Sequence, residues 1–214
     1  MNAASHPRLH ILSHPLLAHS LTLLRDRHTS RGEFRRLVGE VSRLMAYECA
    51  RGLKLSTVSI QTPFEQTQGQ MISEDITLLS VFRAGMSMVD GFLQMFPLAR
   101  VGHIGIYRDK FMDSTVEYYF RIPQENLPQS KIFLLDPLLA TGSTVNAALE
   151  RLKQYGATSI HVNCLLASPE GAMRILEAHP DISISCLALE RGLDAKGYLL
   201  PGLGDAGERL YGTA

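Results

Sequence analysis

From residue 55 onward, short runs of branched apolar residues alternate with longer amphipathic runs, and this alternation constrains the fold more than any other feature of the chain. LSTVSIQT, ITLLSVF, ARVGHIGIY, STVEYYFRI, IFLLD, SIHVNCLLA and ISISCLAL have the length and branching of strands. GMSMVDGFLQMF, STVNAALERLKQYG and PEGAMRILEAH read as helices between them. Ser168 is placed to cap the third helix with Pro169 in its first turn, and Gly156 suits the exit from the second. A strand that continues through a helix into another strand pairs in parallel with its predecessor, so the chain is expected to be α/β: a mostly parallel sheet flanked by helices.

Two regions break the pattern. Residues 1–54 read as a helical N-terminal part, with Leu16, Leu17, Leu21 and Leu24 near one helix face. Ser30 and Glu33 form a capping box ahead of Phe34, Leu37, Val38, Val41, Leu44 and Met45, while Arg31, Arg35, Arg36 and Arg43 read as a solvated face. Within residues 100–122 no helix separates two strand-like runs, so the charged segment RDKFMDS is expected to join a projecting β-hairpin arm. The 214 residues are expected to form a single domain, 1–214.

Lys plus Arg equals Asp plus Glu, at 21 each, so no net positive field exists to hold nucleic acid or an anionic membrane. Any anion must be bound locally. No run approaches the roughly 18 apolar residues of a membrane helix, and MNAASHPRLH lacks the apolar core of a signal peptide. The expectation is a cytoplasmic protein. Cys49, Cys164 and Cys186 are odd in number and far apart, which favours reduced thiols over disulfides. His6, His10 and His14 have helical ligand spacing, but Pro7 and Pro15 interrupt any such helix, so no metal site is expected there.

The segment IFLLDPLLATGST (132–144) carries the chemistry. Asp136 stands at the carboxyl end of a strand, where ligands gather in open parallel sheets. Ala140, Thr141, Gly142, Ser143 and Thr144 then offer small side chains, three hydroxyls and the N–H groups of a helix start, which together make an anion cradle. A plain strand-to-helix turn capped by Ser or Thr has a similar composition. A nucleoside-triphosphate loop is excluded because Ser143, not lysine, follows Gly142. GLGDAG at Gly202, Gly204 and Gly207 spells a dinucleotide motif, but too little chain follows it for the helix and strand that motif needs.

LLDPLLATGST resembles the phosphoribosyl pyrophosphate loop of the phosphoribosyltransferases, and its Asp-Pro form is similar to the uracil phosphoribosyltransferase branch, usually written DPMLATGGS. GYLLPGLGDAGERLYGT resembles that family's C-terminal uracil-binding segment, and FRAGMSMVDG and GIYRDK resemble two further stretches, all in the expected order. The resemblance implies a type I phosphoribosyltransferase fold whose residues 190–214 form a base-binding hood. It implies transfer of the 5-phosphoribosyl group from phosphoribosyl pyrophosphate to uracil N1, giving UMP and pyrophosphate in pyrimidine salvage. Asp136, Arg83 and Arg108 would serve catalysis. Arg83, Arg108, Asp136, Pro137, Leu138, Leu139, Ala140, Thr141, Gly142, Ser143, Thr144 and Asp205 would bind phosphoribosyl pyrophosphate, and Leu199, Gly204, Asp205 and Ala206 would bind uracil. Mg²⁺ is the implied cofactor, held mainly by the pyrophosphate and reaching Asp205 through water. A homodimer or higher homo-oligomer is also implied.

The chain departs from the family pattern where Ser143 replaces the second glycine of the turn, Thr144 replaces serine, Phe82 precedes Arg83, Lys110 replaces glutamate, and ERGLD near residue 190 replaces DQGLN. These departures motivate an alternative expectation, a non-catalytic regulator that keeps the fold to sense a nucleotide or phosphoribosyl pyrophosphate. Gly85 is expected to supply a backbone conformation that a side chain would hinder.

Overall fold

The computed structural model describes residues 3–109 and 114–213, with 108, 109, 114 and 115 described by their backbone alone. After a short 3-10 turn come β1 (Leu9–Ile11), α1 (Pro15–Arg25) and α2 (Arg31–Cys49). His14 caps α1 by accepting from Leu16 N–H at 3.2 Å, and Ser30 caps α2 by accepting from Glu33 N–H at 3.3 Å. β2 (Leu55–Gln61), β3 (Gln66–Ile72), β4 (Ile76–Val81) and α3 (Met86–Met95) follow. Next are β5 (Arg100–Asp109), β6 (Ser114–Arg121), β7 (Lys131–Leu135), β8 (Leu138–Leu139) and α4 (Ser143–Gln154). The chain continues through β9 (Ser159–Asn163), β10 (Leu166–Ala167), α5 (Pro169–Ala178), β11 (Ser183–Cys186) and β12 (Ala188–Leu189). It closes with β13 (Gly192–Leu193), β14 (Leu199–Leu200) and α6 (Ala206–Tyr211).

Among the described residues the main sheet runs β1-β11-β9-β7-β4-β5-β6, parallel throughout except for the antiparallel β5–β6 pair. Alternation along β7 sets the layers. Ile132 and Leu134 pack with Val145, Leu149, Ile175 and Leu176 of α4 and α5, while Phe133 and Leu135 pack with Leu37, Val41, Met88 and Phe92 of α2 and α3. Both faces of the strand are therefore buried, which explains why IFLL is a continuous apolar run. At the carboxyl ends, three main strands bend and continue as a small parallel sheet, β12-β10-β8, with Leu166 opposite both Leu138 and Ala188.

The expected hairpin is present as β5 and β6, whose inner part belongs to the main sheet; β4 pairs only as far as Ile104, and the ladder continues beyond it to Asp109 and Ser114. A second hairpin was not expected. β2 and β3 pair from Leu55↔Ile72 to Gln61↔Gln66 as a ribbon separate from the main sheet. QTQGQMI lacks the apolar alternation of a strand, and what holds it is the ladder plus cross-strand bonds from Gln66 Nε2 to Ser59 Oγ (2.8 Å) and Gln70 Nε2 to Thr57 Oγ1 (2.9 Å). No helix among the described residues is long and apolar enough to cross a membrane.

Candidate active site

β4 leads through α3 to β5 on one side, whereas β7 leads through α4 to β9 on the other. The chain thus diverges above the paired β4 and β7, and that divergence opens a crevice at their carboxyl ends. Phe82 and Arg83 leave β4 there, and Asp136 leaves β7. The Phe82 ring stacks on His103 (4.9 Å) and Tyr119 (5.1 Å), which holds the residue ahead of Arg83. The peptide bond between Phe82 and Arg83 is cis. Gly85 has an ordinary right-handed conformation (φ −58°), so the expectation of a special backbone is corrected: a Cβ there would stand 2.5 Å from Val81 O and collide with Leu135 O. Close approach of β4, β7 and α3 requires the glycine.

Phe82, Arg83, Ala84, Asp136, Leu138, Asp205, Ala206 and Gly207 line one cleft of about 280 Å³. Arg83 is exposed, donates from Nη1 to Thr213 Oγ1 (3.2 Å), and among the described residues has no carboxylate partner; its carbonyl accepts from Tyr211 Oη at 3.0 Å. A methyl on Gly207 would lie 3.1 Å from Asp205 Oδ1 and 3.9 Å from Arg83 Nη2, so opposite charges flank one point of the wall. Burial pushes the Asp136 carboxyl up to about 7, opposed by the Leu138 N–H that donates to it. Asp136 thus caps its own turn and also faces the cleft.

Beyond Asp136, Pro137 O accepts from Leu165 N–H (2.8 Å) and Leu166 N–H (3.1 Å), and Leu139 is buried in the core. The turn itself needs glycine at 142, where φ is +78°. Thr141 Oγ1 accepts from Ser143 N–H (3.4 Å) and donates to Ser143 Oγ (3.2 Å), and Thr144 sits in the first turn of α4. From α5, Ser168 Oγ donates to Ala140 O at 2.6 Å while accepting from Gly171 N–H at 2.8 Å. Arg174 Nη1 donates to Ser143 Oγ at 2.6 Å, a contact that no sequence signal announces.

The C-terminal segment folds over the same end of the sheet. Leu199 pairs with Leu193 across β13–β14 and its side chain is buried, so what it offers a ligand is backbone. Gly202 (φ +65°) and Gly204 (φ +84°) take the left-handed conformation, and Asp205 caps α6 by accepting from Glu208 N–H at 2.9 Å. The fully buried Glu190 carboxylate ion-pairs with Arg25 of α1 and accepts from Gly202 N–H at 2.8 Å. Arg25 also donates to Gly202 O at 2.8 Å, and Arg209 donates to Leu24 O, Leu203 O and Asp26 O. The loop carrying Gly204 and Ala206 is tied to α1 from both ends. A Cβ on Gly197 would touch Thr141 Cγ2 at 4.0 Å, so this segment reaches the turn as well.

Arg83, Asp136, Asp205 and Ala206 therefore share a cleft, and the turn adjoins the hood. The backbone of Arg108 pairs with Thr115, whereas its side chain and Lys110 lie outside the described residues. Among the described residues no group of three or more His, Cys, Asp or Glu forms a metal cage. Asp136 and Asp205 do bring two carboxylates to one cleft, which fits Mg²⁺, an ion that keeps several waters and takes one or two carboxylates plus phosphate oxygens.

A family model described as uracil phosphoribosyltransferase matches residues 11–213. A protein from Delftia acidovorans named uracil phosphoribosyltransferase is 48% identical over 206 residues, covering 96% of this chain and 98% of its own. One of the same name from Streptococcus salivarius is 46% identical over 207 residues, covering 96% and 99%. Among solved structures, the AQ2163 protein from Aquifex aeolicus superposes with a TM-score of 0.90 at 32% identity, covering 96% of this chain and 99% of that one. Adenine phosphoribosyltransferase from Leishmania donovani, at TM-score 0.59 and 12% identity over 90% of this chain and 88% of its own, shares the fold.

Proposed function

This chain belongs to the uracil phosphoribosyltransferase family, and on that premise we propose that it is an enzyme transferring the 5-phosphoribosyl group of phosphoribosyl pyrophosphate to uracil N1, with UMP and pyrophosphate as products. The observation that carries the reading is the cleft at the β4/β7 divergence, which Arg83, Asp136 and Asp205 line together, with Asp136 four residues before the Ala140–Thr144 turn begins in the chain.

Substitution at the anomeric carbon passes through an oxocarbenium-like state, with positive charge growing on the sugar and negative charge on the leaving pyrophosphate. Asp136, ionised, favours the positive ring and accepts from the ribose hydroxyls; in a poorly hydrated pocket that attraction is stronger than in water. Arg83, unpaired by any described carboxylate, stabilises the departing pyrophosphate, and Arg108 is proposed for the same task. Asp205 would help to hold Mg²⁺ at the pyrophosphate, where the ion would supply neutralising charge.

The turn cradles the 5′-phosphate with neutral donors, Leu138 lines the cleft while Pro137 and Leu139 are buried, and the backbone of Leu199, Gly204, Asp205 and Ala206 meets the uracil edge. Uracil presents an N3–H donor between two carbonyl acceptors, and cytosine reverses part of that pattern and leaves buried groups unpaired.

The three cysteines are unpaired thiols, in keeping with action in the cytoplasm. A homodimer or larger assembly is supported by the β2–β3 ribbon, on which Ile60 and Met71 stand exposed on one apolar face. The pure protein with Mg²⁺ and phosphoribosyl pyrophosphate should convert labelled uracil to UMP, and Arg83→Ala should lose most of that rate. No turnover of any pyrimidine or purine would remove the enzymatic reading.

A further inference from the structure

The neutral turn has a cation held against it. α5 presses on Ala140–Ser143: a Cβ on Gly171 would lie 3.1 Å from Leu139 O and collide with Ala140 O. Arg174 stands three residues further along, on the same helix face, and so arrives at the turn with α5. Its Cδ would touch a Cβ on Gly142 at 3.4 Å, and its Nη1 donates to Ser143 Oγ at 2.6 Å. Among the described residues its guanidinium has no carboxylate partner, although Glu170 lies one turn before it on α5.

A hydroxyl has two acceptor lone pairs and one proton. Ser143 Oγ already accepts twice, from Arg174 Nη1 at 2.6 Å and from Thr141 Oγ1 at 3.2 Å. Its proton is thereby left to a third group, and the acceptor that a turn built of donors is shaped for is an anion.

Resting on the reading of this turn as the 5′-phosphate cradle, we propose that Arg174 is a positioning residue for that phosphate: it holds Ser143 as a donor and supplies positive charge to a cradle otherwise made of hydroxyls and N–H groups. The ligand class is a ribose 5-phosphate ester. Because Arg174 is exposed, the charge acts at short range and is weakened by salt.

The test measures binding of UMP and of uridine by calorimetry to the full chain, Arg174→Ala, Arg174→Lys and Ser143→Ala. Arg174→Ala is expected to weaken UMP about ten-fold and leave uridine unchanged, since a hydrogen bond to a charged group is worth about that factor. The deficit should shrink in about 0.5 M salt. Arg174→Lys should restore part of the affinity, and adding Ser143→Ala to Arg174→Ala should cost less than the sum of the two. UMP affinity equal to the parent's in Arg174→Ala overturns the proposal, as does an equal loss for uridine, which would mark a role in packing alone. A parent chain that binds UMP no better than uridine overturns the phosphate reading of the turn and this proposal with it, and that failure is visible before any substitution is made.

Discussion

Asp136 is held where a carboxylate is poorly hydrated, and the consequences run in two directions. Its ordinary value is 3.8, and burial pushes it up to about 7. Between those values the folded chain keeps a proton that the unfolded chain has released, so this group makes stability fall as pH rises through the window, with no further change above it. Asp136→Asn should flatten that fall in urea titrations from about pH 4 to 7. The role proposed for Asp136 uses the ionised form. kcat/KM should therefore rise as pH passes about 7, and Asp136→Asn should lose at least about 100-fold and the pH dependence with it, read from initial rates. A carboxylate followed by proline at the end of an apolar run is conspicuous in the sequence, and Asp136 lines the cleft. Arg174 is not conspicuous, because its partner Ser143 lies 31 positions away and the contact exists only once α4 and α5 lie side by side.

Helix and strand identities come largely from caps and periodicity: Ser30, Ser168 and Gly156 mark α2, α5 and the end of α4, although only the Ser30 half of the expected capping box forms, because the Glu33 carboxylate accepts from Arg36. Interactions between elements were hidden, and the clearest is the Glu190 carboxylate joining α1 to the hood. In the sequence ERGLD stands out only as a departure from the family pattern, since nothing there pairs residue 190 with residue 25. Glu190→Ala strands Arg25 and leaves Gly202 N–H without its partner; the expected cost is about 3 kcal/mol by denaturant titration, with KM for uracil rising more than KM for phosphoribosyl pyrophosphate. Glu190→Gln, which can still accept from Gly202, should lose less. At the other junction, a methyl in Gly171→Ala must push α5 away from Ala140, costing about 1–3 kcal/mol and raising KM for phosphoribosyl pyrophosphate first. Equal rises in both KM values would show that the two junctions do not act separately.

At the scale of the whole molecule, the βαβ alternation dictated the parallel sheet because each buried strand needs apolar residues on both faces, and those runs are conspicuous. The β2–β3 ribbon escaped because its partner is not the sheet. One face carries Thr57, Ser59, Gln68 and Gln70 with Leu55 and Ile72 exposed at its base; the other carries Val58, Ile60 and Met71 with Ser56 and Thr67, and there Ile60 is 44% and Met71 59% exposed. A lone two-stranded hairpin is marginal in water, so a ribbon of this length with an open apolar face calls for a cover. A second copy of the chain is the cover we propose. Sedimentation of the parent should give a dimer or larger species, and Ile60→Asp with Met71→Asp, which puts two carboxylates on that face while leaving the ladder bonds intact, should give monomer. Because the ribbon lies outside the main sheet, the sheet and the cleft at its carboxyl ends should survive in that monomer, observable as unchanged far-UV circular dichroism; a parent that sediments as monomer would leave the apolar face to some other partner.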